Sequence, residues 1–384
     1  MPDYIPFNRI FKDEDEKKAI SEVLSGDNWH GDGPVGRRVE AYFCEWLNSR
    51  HAFLTTSCTH ALEMAMMILE IGEGDEVIMP GFTFVSTANA VSMRGGKPIF
   101  ADIRDDDLTI DTEDIARKIT PATRAVIPVH YAGVSADFDE IRRVIDNRAV
   151  SIIEDAAQAV GAFWNGQALG TVGDIGCFSF HDTKNITCGE GGALLTQNDD
   201  FAEKAEWIRE KGTNRTAFLR GEVDKYTWVS LGSSYVPSEL LSAVLEVQLR
   251  KKDIILEKRK AMWNVYFESL RDIEQNGWIT LPVTPPYAQT NYHIFHFIVR
   301  DQSDRDPLIS AFRNAGIGAS FHYIPLHNAP YARKFLDKPI ILPKTEYLAD
   351  SLIRLPLHPG LADRKEEIAT RVHDVLTGYY KETG

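Results

Sequence analysis

Between residues 59 and 200 the chain alternates short apolar runs with helical stretches, and this alternation leaves few folds open. "EVIMP" (76–80), "KPIFADI" (97–103), "RAVIPVHYAG" (124–133), "AVSIIED" (149–155) and "IGCFSF" (175–180) read as strands, and "GGALLTQ" (191–197) closes the series. Helices are expected between them, at "THALEMAMMILEI" (59–71), "FVSTANAVSMRG" (84–95), "TEDIARKI" (112–119, entered through Asp111) and "DFDEIRRVID" (137–146). Strands that are apolar on both faces must be covered on both faces. Alternation with helices supplies that cover and makes the sheet mostly parallel. Upstream, "GRRVEAYFCEWLN" (36–48) carries Val39, Phe43 and Trp46 at helical spacing. Downstream, "NDDFAEKAEWIREKG" (198–212) reads as a helix. A helical stretch over 237–272 is expected to join a large domain, residues 1–245, to a smaller α+β domain, 246–384. In the latter, "YHIFHFIVR" and "GASFHYIP" read as strands and "RDPLISAFRNAG" as a helix.

Bulk properties exclude several functions. A net charge of −14 over 384 residues argues against non-specific nucleic-acid binding, which needs basic patches to displace counterions. It leaves room for a phosphorylated small ligand, which needs only local amides or cations. The cysteines, Cys44, Cys58, Cys177 and Cys188, form no CxxC pair. They suit neither a zinc site nor a disulfide framework, and read as reduced cytosolic thiols. "MPDYIPFNRIFKDEDEKK" has no apolar signal core, and no run of about 18 apolar residues appears, so a cytoplasmic chain without a membrane span is expected.

In a doubly wound sheet, ligands bind at the carboxyl ends of the strands. "SIIED" ends there in Asp155, a carboxylate that either caps a helix or meets a buried cation. "CFSF" leads through Ser179 and His181 to Lys184, a solvated loop lysine or a catalytic amine. Gly189, Gly191 and Gly192 follow and let the chain turn back. No Walker pattern is present. "TTSCTHALEMA" starts a helix near Thr59, whose free N–H groups and dipole suit an anion, although Ser and Thr also simply cap. Phe84 follows strand 76–80, as a stacking platform or as core. Taken together these residues match what pyridoxal 5′-phosphate (PLP) requires: amides and hydroxyls for the phosphate, a flat partner, a carboxylate for the pyridinium nitrogen and a lysine for the Schiff base.

The stretches "SCTHALEMA", "GDEVIMPGFTFVSTANAV", "PVHYAGV", "IEDAAQAVGA", "GDIGCFSFHDTKN", "GEGGAL" and "FHYIPLH" resemble the DegT-type sugar-nucleotide aminotransferases. These belong to the fold-type I (aspartate aminotransferase-like) PLP enzymes, so the resemblance implies an α/β fold of that type. It also implies Lys184 as the Schiff-base lysine and proton shuttle, Asp155 on the pyridinium nitrogen, and Gln158 on the ring hydroxyl. Thr59, His60 and Ser179 would hold the phosphate, and Phe84 would stack on the ring. Ser234, in "GSSY", stands where the family often places an asparagine that reaches the phosphate of the neighbouring subunit. "KGTNR" (211–215), "VDKYTW" (223–228), "GSSY" (232–235) and "HYIPLH" (322–327) resemble the dTDP-4-amino-4,6-dideoxygalactose transaminases of enterobacterial common antigen synthesis. One residue fewer separates Lys184 from "GEGG" than in those enzymes.

The implied reaction is ping-pong, with PLP cycling through pyridoxamine phosphate. L-glutamate would give 2-oxoglutarate, and the amine would pass to C4 of dTDP-4-keto-6-deoxy-D-glucose in a homodimer with shared sites. His327 would lie near the substrate, or pack. Lys211, Arg215 and Lys225 are candidates for the nucleotide diphosphate, or are surface charge. His293 and His296 are three apart, and on a strand that spacing points them to opposite faces, against a shared metal. Competing readings are a 3-keto-sugar or gluco-epimer-forming transaminase, a PLP-dependent sugar dehydratase (disfavoured by Lys184) and a non-catalytic PLP-binding regulator.

Overall fold

The structure, a computed structural model, describes residues 4–383 apart from 147 and 337. Its strands in chain order are β1 (His51–Thr55), β2 (Glu76–Pro80), β3 (Lys97–Ala101), β4 (Thr123–Val126), β5 (Ser151–Asp155), β6 (Phe163–Trp164), β7 (Gln167–Ala168), β8 (Ile175–Ser179), β9 (Gly192–Thr196), β10 (Ile279–Thr280), β11 (Ala288–Gln289), β12 (Phe295–Val299) and β13 (Leu352–Leu355). The first four helices are α1 (Glu14–Ser25), α2 (Pro34–Leu47), α3 (Cys58–Ile68) and α4 (Val85–Ser92).

Seven strands form the main sheet in the order β1-β9-β8-β5-β4-β2-β3. The pairs β2–β3, β2–β4, β4–β5 and β5–β8 are parallel, whereas β9 runs antiparallel to both its neighbours. The mostly parallel α/β sheet expected from the alternation is therefore present, with one reversed strand. Successive residues of a strand face opposite sides. Ile152 packs into the cluster with Val39, Phe43 and Phe178, and Ile153 into the cluster with Met64, Met66 and Cys177 from the α3 side. Asp155 shares the parity of Ile153, and Ser179 that of Cys177. The period of two thus aims both polar ends at the side of the sheet covered by α3.

A third cluster unites Ile5 with Met262, Tyr266, Phe295, Phe312, Ile353 and Val372 around the sheet β10-β12-β13. The start of the chain reaches this cluster through a bridge between Ile5 and Ile317.

Three stretches differ from the sequence reading. The run 124–133 is continuous strand only as far as Val126; Pro128, with no N–H to give, interrupts the ladder, pairing resumes as a single bridge from Val129 to Asp155, and a tight turn with positive φ at Ala132 and Gly133 follows. The stretch 237–272 breaks at Lys251 into helices Glu239–Arg250 and Lys252–Ser269. "GASFHYIP" forms no strand beyond a single bridge, Ser320 to Arg354. The hairpin β6–β7, which pairs with β11, carried no recognisable sequence signal. Among the described residues no helix is long and apolar enough to cross a membrane.

Candidate active site

A cavity of about 630 Å³ opens at the carboxyl ends of β5 and β8. Thr59, Phe84, Asp155, Gln158, Ser179 and Lys184 all line it, as do Arg259, His293, His322, Tyr323 and Arg354 from the smaller part of the molecule.

Its anion end is the start of α3. Ser57 caps the helix by accepting the N–H of His60 at 3.1 Å. The N–H groups of Cys58 and Thr59 make no hydrogen bond to a described residue, as the first turn of a helix requires, and they add to the positive end of its dipole. Thr59 Oγ1 lies 2.7 Å from Ser86 Oγ, in the first turn of α4, so two helix starts converge. This approach depends on Gly192. A Cβ on it would come within 2.4 Å of the Ser57 carbonyl carbon and 2.5 Å of the Cys58 nitrogen.

Asp155 is 4% exposed. Its Oδ2 accepts from Thr87 Oγ1 at 2.7 Å and its Oδ1 from the Ala157 N–H at 3.3 Å; Thr87 in turn lies 2.9 Å from Thr83 Oγ1. Burial pushes the carboxyl above its ordinary range, against the lowering by Thr87, Ala157, Lys184 and His130. The next residue inward, Glu154, faces the other side of the sheet. It accepts from the N–H groups of Gly170, Val172 and Gly173 and meets His130 Nε2 at 2.9 Å. That network pins β5 and fixes where Asp155 emerges.

Burial pulls the Lys184 amine below its ordinary value, more strongly than Cys58 and Asp155 raise it. Such an amine is the more readily neutral and nucleophilic. Gln158 Oε1 accepts the Ala132 N–H at 2.7 Å, which turns its Nε2 to Tyr323 OH at 2.9 Å. Phe84, 56% exposed, caps α4 with its ring 6.4 Å from that of Tyr323.

The remaining sequence candidates lie elsewhere. His60 turns from the cavity: its Nδ1 bonds the Thr56 hydroxyl, and its ring packs at 4.8 Å on Tyr235. His327 is buried against Glu346 at 3.0 Å, with Gly81 beside its Nδ1. Lys211, Lys225 and Ser234 are exposed, and Arg215 stands 3.9 Å from both Asp32 and Glu210. These four belong to the outer segment 211–234, away from the cavity lining. Sequence reasoning missed Thr87, Tyr323, Arg259 and Arg354. "TFVST" did place a hydroxyl one helical turn beyond Thr83, but nothing local tied it to Asp155.

The donor set fits PLP: unpaired N–H groups and hydroxyls at the anion end, a buried carboxylate, and an amine depressed by burial. A parallel sheet with one reversed strand, carrying such a set at its carboxyl edge, defines a fold-type I PLP-dependent transferase. Residues 11–375 match the model of the DegT/DnrJ/EryC1/StrS aminotransferase family, and the chain belongs to that family. Its cofactor is pyridoxal phosphate. DesV of S. venezuelae is similar in structure, at 32% identity and a TM-score of 0.85, over 95% of this chain and 94% of that one. PseC of Helicobacter pylori, an aminotransferase involved in the biosynthesis of pseudoaminic acid, is similar at 25% identity and 0.89, over 98% and 100%. Spr1654 of Streptococcus pneumoniae, solved in PLP and PMP forms, shares the fold at 23% identity; its PMP form has a TM-score of 0.88 over 98% and 100%. The chain is thus an aminotransferase.

Proposed function

We propose that this aminotransferase moves the amino group of L-glutamate to C4 of a nucleotide-linked 4-keto-6-deoxy sugar, converting dTDP-4-keto-6-deoxy-D-glucose to dTDP-4-amino-4,6-dideoxy-D-galactose. The observation that carries the reading is the cavity in which Lys184, Asp155 and the start of α3 converge. Bound PLP supplies an electron sink for bond breaking at the amino carbon. Lys184 would hold the cofactor and supply the group that takes and returns the proton at that carbon. Asp155 holds a proton on the ring nitrogen, with Thr87 orienting it. Thr59, Ser179 and the α3 amides hold the phosphate. Phe84 would stack on the ring, and Gln158, held by Ala132 and Tyr323, would contact the ring hydroxyl.

The sugar class is supported by the role of PseC in pseudoaminic acid biosynthesis and by the stretches "KGTNR", "VDKYTW" and "GSSY". The segment bearing them exposes Phe218, Leu219, Tyr226, Trp228, Val229 and Leu231. An apolar patch of this kind suits a homodimer interface, which would bring Ser234, Lys211, Arg215 and Lys225 toward a partner's cavity.

Incubation with L-glutamate and each candidate keto sugar, followed by NMR of the amino sugar, tests the substrate. The galacto 4-amino product is expected; a 3-amino or gluco product overturns the assignment in favour of the second reading. Borohydride reduction and peptide mapping test the lysine, with the label expected on Lys184. Label on another lysine rejects its role.

A further inference from the structure

A chain of three polar residues behind the cavity sets the tautomer of one histidine ring. Asn291 Nδ2 donates to two carbonyls, Gln158 O at 2.8 Å and Val160 O at 3.0 Å, which fixes that residue. The Asn291 main-chain oxygen lies 2.9 Å from the Asn185 amide. A carbonyl oxygen only accepts, so the amide atom facing it is Nδ2, and Asn185 Oδ1 is turned the other way. That oxygen meets His293 Nδ1 at 2.8 Å. It too only accepts, so Nδ1 carries the hydrogen. Burial acts most strongly on the ring, followed by Lys184, Arg259, His322 and Arg354, all of which lower its pKa. Together they disfavour the charged form of His293. A neutral imidazole has one N–H. Nε2 is therefore bare, has no partner among the described residues, and belongs to a side chain lining the cavity that holds Lys184. His322 differs: its Nδ1 meets Tyr131 OH at 2.8 Å, and a hydroxyl can donate or accept, so that ring's tautomer is left free.

We infer that His293 is a specificity-determining acceptor, its bare Nε2 taking a hydrogen bond from a hydroxyl group of the polyhydroxylated carbonyl substrate. The inference rests on the proposed sugar aminotransferase activity and deepens it. A fixed, buried acceptor discriminates strongly, because a substrate lacking the hydroxyl leaves it unpaired. His293 touches substrate in this scheme, while Asn185 and Asn291 act through it as positioning residues.

The test uses the holoenzyme with the keto sugar and analogues each lacking one hydroxyl. For the natural sequence one analogue should lose on the order of tenfold or more in kcat/KM. In His293→Phe that analogue's penalty should vanish while the penalties of the others remain, and His293→Gln, which restores an acceptor, should recover part of it. A penalty unchanged in His293→Phe overturns the inference, as does the absence of any hydroxyl-specific penalty in the natural sequence. Nitrogen-15 NMR of histidine-labelled protein needs no variant: Nε2 of His293 should resonate as an unprotonated ring nitrogen, and a protonated Nε2 refutes the proposal even if His293→Phe fails to fold. Failure of the underlying activity reads differently. The natural sequence would then aminate no keto sugar, while the nitrogen-15 pattern would still report the tautomer.

Discussion

At the residue scale, the carboxylate is tuned by a neighbour that no local pattern connects with it. Thr87 sits 68 positions before Asp155 yet donates to its Oδ2 at 2.7 Å. A hydrogen bond to a charged acceptor of this kind contributes roughly 1.5–3 kcal/mol. Thr87→Val removes the donor and leaves burial to raise Asp155 further. The acid limb of the bound cofactor's absorbance titration should therefore move to higher pH by about one unit or more, and Thr87→Ser should restore it. An unmoved titration in Thr87→Val would detach the threonine from the carboxylate. The same scale explains why Lys184 was ambiguous in sequence. Its loop position is that of a solvated lysine, and only burial, against the opposing pull of Cys58 and Asp155, brings its amine below the ordinary value.

At the element scale, the site depends on how closely β9 approaches the start of α3. The glycines of "GEGG" looked like a turn, and Gly189 has the positive φ of one. Gly192 instead permits close packing, since the space for its missing Cβ is filled by main-chain atoms of Ser57 and Cys58, which cannot rotate away. Gly192→Ala should destabilise the protein by about 1–3 kcal/mol and weaken retention of the cofactor's phosphate group. Thermal unfolding and cofactor titration check both, and a variant as stable and as well loaded as the parent would show that β9 can shift without cost. Asp111 enters its helix as the sequence reading expects, accepting from the Glu113 N–H, whereas the cap of α3 is Ser57, two residues before the start read at Thr59. Strand 124–133 was over-extended because apolar content outweighed the one proline that interrupts the ladder and the turn at Ala132 and Gly133.

At the scale of the whole molecule, the two parts meet around buried neutral histidines. His296 is 4% exposed, and burial, with Arg354 nearby, lowers its pKa to about 4. In the unfolded chain a histidine titrates near about 6.5. The folded value is the lower, so the unfolded state binds the proton first. The stabilisation is complete above about pH 6.5 and is lost as pH falls towards 4, by up to about 3 kcal/mol. Denaturant unfolding measured across that window should show stability falling with acid, and His296→Gln should flatten the slope; equal slopes would mean that other groups carry it. The outer segment makes a second prediction at this scale. Trp228, 76% exposed, should be covered in a homodimer, so Trp228→Asp should shift the mass in solution from dimer to monomer. A monomeric parent would refute the shared-site arrangement.

The sequence by itself determined the layered α/β architecture, the strand ends at which chemistry gathers, and the candidates Lys184, Asp155, Thr59, Phe84, Gln158 and Ser179. The strand ends follow from period, polarity and local capping, which act over a few residues, whereas Gln158 came from the family resemblance alone. It could not separate those candidates from His60 and His327, because whether a side chain faces a cavity or a packed neighbour is settled by contacts with distant segments. Tertiary structure alone decided the link from Thr87 to Asp155, the entry of Tyr323, Arg259 and Arg354 into the cavity, and the tautomer of His293. Each is a pairing of groups far apart in the chain. It was fixed only once β5, α4 and the smaller sheet had packed, since burial is what turns an ordinary polar side chain into one with a single permitted partner.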